Sequence, residues 1–427
     1  GNLPAHPCDG LSLALAGPLP VVSAMSVMER AWGAWERSEP AISTGAAQVD
    51  RLLGGGLRAA GEGCSLVSVS GAAKVGKTSW LLQMGFDAVR CAKPGEVVTL
   101  SLSCELSATE QAARVLARCA FLDRAAEGSA DPSGWLSFGS IQWGAVRRGE
   151  HGAAALSTLV ETIDRYGASL RYFVPERLPA FATIATVRER IEAVRDRFPG
   201  ARVVCIVDPI QRLFVAPEKG ASPGVTDRLN ATETERIGHV ALQLIELKET
   251  IGAAFLVGSD TTKTGAQNAS SSQNQRGTYL LNHAATTILG LHAGRSARGL
   301  ARRLVRGGAV DVDLPAVSRA REAAEDDAAD ALAASLCEGA PGWIWRSPDA
   351  AENRLDRKFA YLDCSGNRAG RPEPLRFGYV PGACAFVERH EGEDAAELPG
   401  EGGGAAPAPK RRKHGPGRPD VSHPSDV

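Results

Sequence analysis

Two hydrophobic rhythms alternate along the chain between Ile42 and Leu291. Short apolar runs, "CSLVSVS", "EVVTLSLS", "SLRYFV", "RVVCIVD", "AAFLVGS" and "TTILGLH", have the length and branched content of buried strands. Between them, apolar residues recur at helical spacing over Lys77 to Cys91, Ser107 to Ala120, Thr183 to Arg197 and Glu233 to Ile251. A strand, a helix and another strand form the pattern of a parallel crossover, because a tight turn cannot join parallel neighbours. The expected fold class is therefore α/β, with a mostly parallel central sheet flanked by helices.

Beyond Leu291 the rhythm changes. Residues 293–357 hold an arginine-rich run followed by "SRAREAAEDDAADALAASL", whose apolar and acidic positions follow helical spacing, and they predict a helical insertion. "KFAYLDCSGNRAGRPEPLRFGYVPGACAFVE" then returns to strand character broken by Gly, Asn and Pro, and predicts a C-terminal β-hairpin closing the same sheet. Residues 391–427 are Gly, Pro and charge, too poor in apolar surface to fold, and read as a disordered basic tail. Residues 1–40 read as a disordered leader or an over-extended start, with Met25 and Met28 as alternative starts. This leaves 41–390 as one core.

Composition narrows the classes. With 427 residues, 44% of them hydrophobic, the chain can bury a full core. A net charge of -1 argues against a protein that holds nucleic acid by bulk charge, so any such contact rests on local basic patches. Nine cysteines, odd in number and never spaced C-x-x-C, fit reduced buried thiols in a cytoplasmic protein better than a disulfide or zinc framework. No apolar run approaches the roughly 18 residues of a membrane span, so no membrane partner is expected.

The chemistry begins at "GAAKVGKTSW". Gly71, Ala72, Ala73, Lys74, Val75, Gly76, Lys77, Thr78 and Ser79 spell the G-x-x-x-x-G-K-S/T phosphate cradle between a strand-like and a helix-like run. Glycines let backbone N–H groups turn toward an anion, and the helix N-terminus adds its positive dipole end. Lys77 is placed to reach the β and γ phosphates of ATP, and Thr78 to ligate Mg²⁺.

Two carboxylates complete the candidate site. "RVVCIVDPIQRL" delivers Asp208 at the carboxyl end of a strand, where open parallel sheets present groups to ligands, so Asp208 is the candidate second holder of the Mg²⁺ shell. In "VVTLSLSCELSATEQ", Ser107 and Glu110 form an S-x-x-E capping box that starts a helix near Ala108. Glu105 is thereby pinned between strand end and helix start, placed to activate the water that attacks the γ-phosphate.

Together these residues resemble the RecA-like P-loop ATPases, and most closely the DnaB-type replicative helicases of superfamily 4. "ISTGAAQVDRLLGGGL" resembles that family's lead-in, "SLSCELSATEQAARVLA" its glutamate motif and "VCIVDPIQRL" its metal-binding strand. "QRGTYLLNHAATTILGLH" is similar to its late strand, and "GNRAGRPEPLRF" to its terminal hairpin. The resemblance implies a stand-alone motor core with Lys77 and Glu105 catalytic, Gln211 coupling nucleotide state to DNA-facing loops, and Arg368 a finger reaching a neighbour's nucleotide. It also implies a ring, usually a hexamer, on single-stranded DNA, with room for a loader or primase-type partner. The chain departs from the pattern at Gly366, Asp260 and Thr286, where the family carries a basic residue, a sensor Gln and an Asp.

Pore loops by this resemblance would lie at about 215–232 and 261–276, with Lys263 and Arg276 as the DNA-binding candidates and Lys219 and Arg228 beside them. Four cations per subunit are few, since Lys and Arg contacts to phosphate dominate affinity. The tail "KRRKHGPGRP" reads equally as a minor-groove arm, an import signal or a solvated tail. Two other classes compete with the helicase: a RadA-like or KaiC-like regulatory ATPase, and a non-hydrolysing ATP-binding ring component favoured by Gly366 and Asp260.

Overall fold

The computed structural model describes residues 39–59, 63–126, 136–142, 144–215, 232–260, 281, 285–294, 297–306, 318–337, 358–367 and 374–388. In chain order the elements are α1 (Ala47–Leu52), β1 (Leu66–Gly71), α2 (Lys77–Cys91), β2 (Val97–Ser103), α3 (Ala108–Ala126), α4 (Phe138–Gln142) and α5 (Gly152–Leu170). There follow β3 (Phe173–Arg177), α6 (Ile184–Arg197), β4 (Arg202–Asp208), α7 (Glu233–Ile251), β5 (Ala254–Asp260) and β6 (Thr287–Gly294). The last elements are α8 (Ala297–Arg306), α9 (Ser318–Cys337), β7 (Lys358–Asn367), β8 (Leu375–Val380) and β9 (Ala385–Glu388).

All the strands join one sheet in the order β3-β2-β4-β5-β1-β6-β7-β8-β9. The first six in that order run parallel and the last three antiparallel, so the sheet is mostly parallel with a C-terminal hairpin region, as the sequence predicts. Helices cover both faces. Val67, Val69, Val204, Ile206 and Leu256 point to the face covered by α2, with Trp80, Leu81, Met84 and Phe86 buried against them. Leu66, Val203, Cys205, Val207 and Phe255 point to the other, against Val187 and Ile191 of α6 and Val240 and Leu244 of α7. This alternation within unbroken apolar runs is the mark of strands buried on both sides, each large side chain contributing about 1.5–3 kcal/mol.

One strand is displaced from its expected place. In "SLRYFV" the first two residues close α5, and β3 begins at Phe173. Helix α5 continues to Leu170 because Tyr166 and Leu170 pack on the core beneath α2, and the burial of those side chains outweighs the strand preference of the run. Within the insertion, α8 and α9 form a helix pair tied by Arg298–Asp330, Arg302–Asp326 and Arg306–Glu325. Leu300 and Leu304 seat that pair on Tyr361 of β7.

A buried ion pair joins α2 to α3. Asp87, 1% exposed, accepts hydrogen bonds from both terminal nitrogens of Arg118, one of them at 2.9 Å, and from Arg90 Nε at 2.8 Å. Truncating one partner of such a pair strands the other charge in a low dielectric. Asp87→Ala, which orphans Arg118, is expected to cost about 3–5 kcal/mol, read as a lowered urea midpoint, with Arg118→Met milder because Asp87 then keeps Arg90 as its counter-charge. Losses of about 1 kcal/mol or less in both variants would show the pair to be solvated rather than buried.

The end of the described chain returns to its beginning. Gln83 of α2 donates from Nε2 to the Phe386 carbonyl at 2.9 Å and accepts the Phe386 N–H at 2.8 Å. Glu388 accepts the N–H groups of Ala47 and Gln48 at 3.0 and 2.9 Å, satisfying the first turn of α1 from across the molecule.

Candidate nucleotide site

Strand register gathers the site at one edge of the sheet. Gly71 pairs with Asp260 across β1 and β5, and Ser103 with Asp208 across β2 and β4, so the strands finish level in two pairs, with β5 running past the end of β4 because Val207 pairs with Val257. Ligand-facing groups of open parallel sheets belong at this edge.

The cradle is built by two glycines. A Cβ on Gly71 would stand 2.6 Å from the Leu291 carbonyl oxygen of the neighbouring strand. Gly76 takes φ +105° as it opens α2, and a Cβ there would meet the Tyr379 ring at 2.8 Å. Lys74 also takes the left-handed conformation, at φ 66°, so the loop turns its backbone inward around the helix N-terminus. Tyr379 and Phe386 stack at 4.1 Å as the floor beneath Gly76, and Tyr379 Oη lies 3.4 Å from Ser79 Oγ. Nothing in the periodicity of "LRFGYV" marks Tyr379 as part of this site.

Lys77, only 8% exposed, is held by three oxygens: its Nζ donates to the carbonyls of Gly71 at 2.7 Å and Ala72 at 3.1 Å, and pairs with Asp260 Oδ1 at 3.1 Å. Thr78 Oγ1 donates to Asp208 Oδ2 at 2.6 Å. Burial pushes the Asp208 carboxyl up to about 6, the Thr78 hydroxyl and Lys77 pull it back, and the nearby Glu105 and Asp260 charges raise it further. Gly258 makes room for that side chain, since a Cβ there would sit 2.1 Å from Asp208 Oδ1.

Glu105 sits in the turn after β2. Ser103 Oγ accepts the N–H groups of Glu105 and Leu106 at 3.2 and 2.9 Å, and the Cys104 N–H bonds the Asp208 carbonyl at 3.0 Å. Ser107 and Glu110 form the expected reciprocal cap of α3, with Ser107 N–H to Glu110 Oε2 at 2.8 Å and Glu110 N–H to Ser107 Oγ at 3.2 Å. Those bonds hold the Glu110 carboxyl below its ordinary range. Gln111, which sequence reasoning missed, fixes the turn from behind: it accepts from Ser101 Oγ at 2.7 Å and donates to the Glu176 carbonyl at 3.0 Å. Glu105 itself is half exposed, and its Oε1 lies 3.5 Å from Arg212 Nη2.

Gln211 spans β4 and β5, donating from Nε2 to Ser259 Oγ at 2.8 Å and weakly to the Asp260 carbonyl at 3.4 Å, while its buried Oε1 has no hydrogen-bond partner among the described residues. Thr286, one of the departures, stands at the opposite edge of the sheet. Its hydroxyl bonds the Leu66 N–H and carbonyl at 3.0 Å each, at the amino end of β1. Arg368, Lys263 and Arg276 lie outside the described residues, as do nearly all of both expected pore loops. No cluster of His, Cys, Asp and Glu able to hold a metal without other ligands occurs among the described residues, and none of their helices is long and apolar enough to cross a membrane.

These groups fit a magnesium nucleotide: a loop turned around a helix N-terminus, a lysine at its mouth, and a hydroxyl beside a buried carboxylate. No protein-family model and no curated protein sequence matches the chain. Solved structures do. A solved structure described as the ATPase domain of G40P matches with a TM-score of 0.55 at 13% identity, covering 86% of this chain and 99% of that one. A DnaB-like replicative helicase, described with its interactions with primase, matches with a TM-score of 0.54 at 13% identity, covering 86% of this chain and 68% of that one. The fold of this chain is accordingly the RecA-like fold of DnaB-type ATPase domains.

Proposed function

We propose that the chain is an ATP-hydrolysing motor that moves on single-stranded DNA as a ring of identical subunits. The observation that carries the reading is the convergence of Lys77, Thr78 and Asp208 at the sheet edge, with Glu105 in the adjoining turn. In this reading the P-loop N–H groups and Lys77 bind the phosphates, Thr78 and Asp208 hold Mg²⁺, and Glu105 orients and deprotonates the attacking water. Bound Mg²⁺ supplies positive charge to the phosphate oxygens. The DNA substrate and the ring rest on the resemblance in the P-loop, glutamate and hairpin motifs, with Arg368 as the residue that would reach a neighbouring site.

Lys77 must leave Asp260 to meet a phosphate, and Asp260 sets a negative charge beside that phosphate. This pair favours, as the second reading, a ring component that binds ATP and turns it over slowly. Turnover with and without single-stranded DNA, run beside a forked-duplex unwinding assay, separates the two: stimulation with unwinding selects the motor, and binding without either selects the slow component.

Two substitutions test the site itself. Lys77→Ala is expected to abolish nucleotide binding or turnover at unchanged far-UV circular dichroism, and unaltered hydrolysis would remove the P-loop from the mechanism. Glu105→Gln keeps the shape and loses the base, so it is expected to bind ATP normally and hydrolyse it about 10²- to 10⁴-fold more slowly. Normal turnover by this variant would assign the base elsewhere.

A further inference from the structure

At the same sheet edge, beyond Glu105, lies an aromatic and cationic surface that the nucleotide site does not use. Phe181, in the loop between β3 and α6, is 74% exposed, the most exposed large apolar side chain among the described residues. Its backbone takes φ +65°, a region in which a bulky residue is strained and is kept only where its surroundings hold it. The holding contacts are visible. Phe214 N–H bonds the Ala182 carbonyl at 2.9 Å, Thr183 and Phe214 form a parallel bridge, and the Phe181 and Phe214 rings lie 5.0 Å apart. From α7, the Arg236 guanidinium lies 4.9 Å over the Phe214 ring while also donating to the Leu213 carbonyl. Arg212, two residues before Phe214, is 66% exposed and faces Glu105 across 3.5 Å.

We propose that Phe181 and Phe214, flanked by Arg212 and Arg236, form a stacking platform for single-stranded nucleic acid, and that a strand seated there draws Arg212 away from Glu105. The inference rests on the motor reading above and adds where the strand binds and how its binding reaches hydrolysis. An exposed ring takes a base of any sequence on its face, and guanidinium groups beside it take the backbone phosphates. Among the described residues Arg212 has Glu105 as its carboxylate partner, and a phosphate is that carboxylate's natural competitor. With Arg212 engaged by the strand, the Glu105 carboxylate loses the contact that holds its Oε1 and is free to turn toward the attacking water. Arg212 is thus a positioning residue, and nucleic acid binding and ATP turnover share it.

The test measures binding of fluorescein-labelled oligo(dT) by anisotropy over a range of salt, in the presence of Mg²⁺ and a non-hydrolysable ATP analogue. Phe181→Gly relieves the left-handed backbone and so guards against a folding artefact. It is expected to bind about tenfold more weakly, the scale of one lost base stack, with the salt slope unchanged. Phe181→Tyr is expected to keep the wild-type affinity. Arg212→Ala is expected to reduce the salt slope by about one and to raise turnover without DNA about two- to fivefold, so that stimulation by oligo(dT) shrinks. A merely structural Arg212 would lower turnover with and without DNA alike. Wild-type affinity in Phe181→Gly overturns the platform and leaves the motor reading standing, as does a loss of affinity that follows only a loss of ring assembly, which would make this surface a subunit contact. A wild-type protein that hydrolyses ATP yet fails to bind oligo(dT) at any salt overturns both.

Discussion

Asp208→Asn is expected to stabilise the fold at neutral pH while stopping ATP turnover. The Asp208 carboxyl ordinarily titrates near 3.8 and is pushed up to about 6 by burial, with Glu105 and Asp260 adding to the effect. A carboxyl whose folded value is raised favours folding most when protonated, so its contribution is fully present below pH ~4 and is lost as pH rises through about 6. Above that window the ionised side chain costs the protein roughly 2–4 kcal/mol, a cost that an amide of the same shape escapes. The Asn variant should therefore have the higher urea midpoint at about pH 7.5 and lose the advantage near pH 4. Mg²⁺ with nucleotide should reverse the order, because a cation favours the ionised carboxylate and cannot use the amide. An Asn variant less stable than the wild type at neutral pH would mean that Asp208 is held ionised by a partner, and an order that Mg²⁺ with nucleotide leaves unchanged would remove the metal role.

A large kinetic effect is also expected at Arg368. If this arginine completes a neighbour's site, Arg368→Ala subunits keep their own Lys77, Glu105 and Asp208 and yet turn over poorly alone, by a factor of about 10³ to 10⁵ if the loss matches arginine fingers elsewhere. Mixing them with Lys77→Ala subunits should restore part of the activity, because each Arg368→Ala site then borrows the intact arginine of a Lys77→Ala neighbour. Rescue of this kind requires a site shared across a subunit boundary. Co-assembled subunits without rescue, or a fully active monomer, would remove the ring from the mechanism and leave a P-loop ATPase that works alone.

Much of the candidate site was legible because its pieces are local. The P-loop is a run of adjacent residues whose glycines, lysine and threonine must stand in that order for the backbone to wrap an anion. Asp208 and Glu105 could be placed at strand ends because apolar runs terminate at Asp208 and Ser103, and because Ser107 and Glu110 cap the next helix within one turn. The strand at Phe173 was misplaced where "SLRYFV" allowed two local conformations and the packing of Tyr166 and Leu170 decided between them. Helices α4 and α5 went unpredicted: α4 is little more than one turn, and the helical spacing of Leu156, Leu159, Ile163, Tyr166 and Leu170 in α5 is a signal that the sequence reading passed over.

By itself the sequence determined the fold class, the phosphate cradle and the carboxylates at the sheet's carboxyl edge, since hydrophobic period and turn chemistry are read over a few residues. Only the tertiary structure decided which side chains meet. Lys77 pairs with Asp260 because β5 lies beside β1 in matched register, and Arg212 reaches Glu105 because β4 lies beside β2. Tyr379 and Phe386 form the floor of the loop because the final strands fold back over α2, and Phe181 meets Phe214 because a backbone bridge joins two separate crossovers. Local rhythm says that a strand is buried and is silent on its neighbour. Strand order is settled by the burial of all the helices and strands at once, and with it the partners of Lys77 and Glu105 on which this site's chemistry depends.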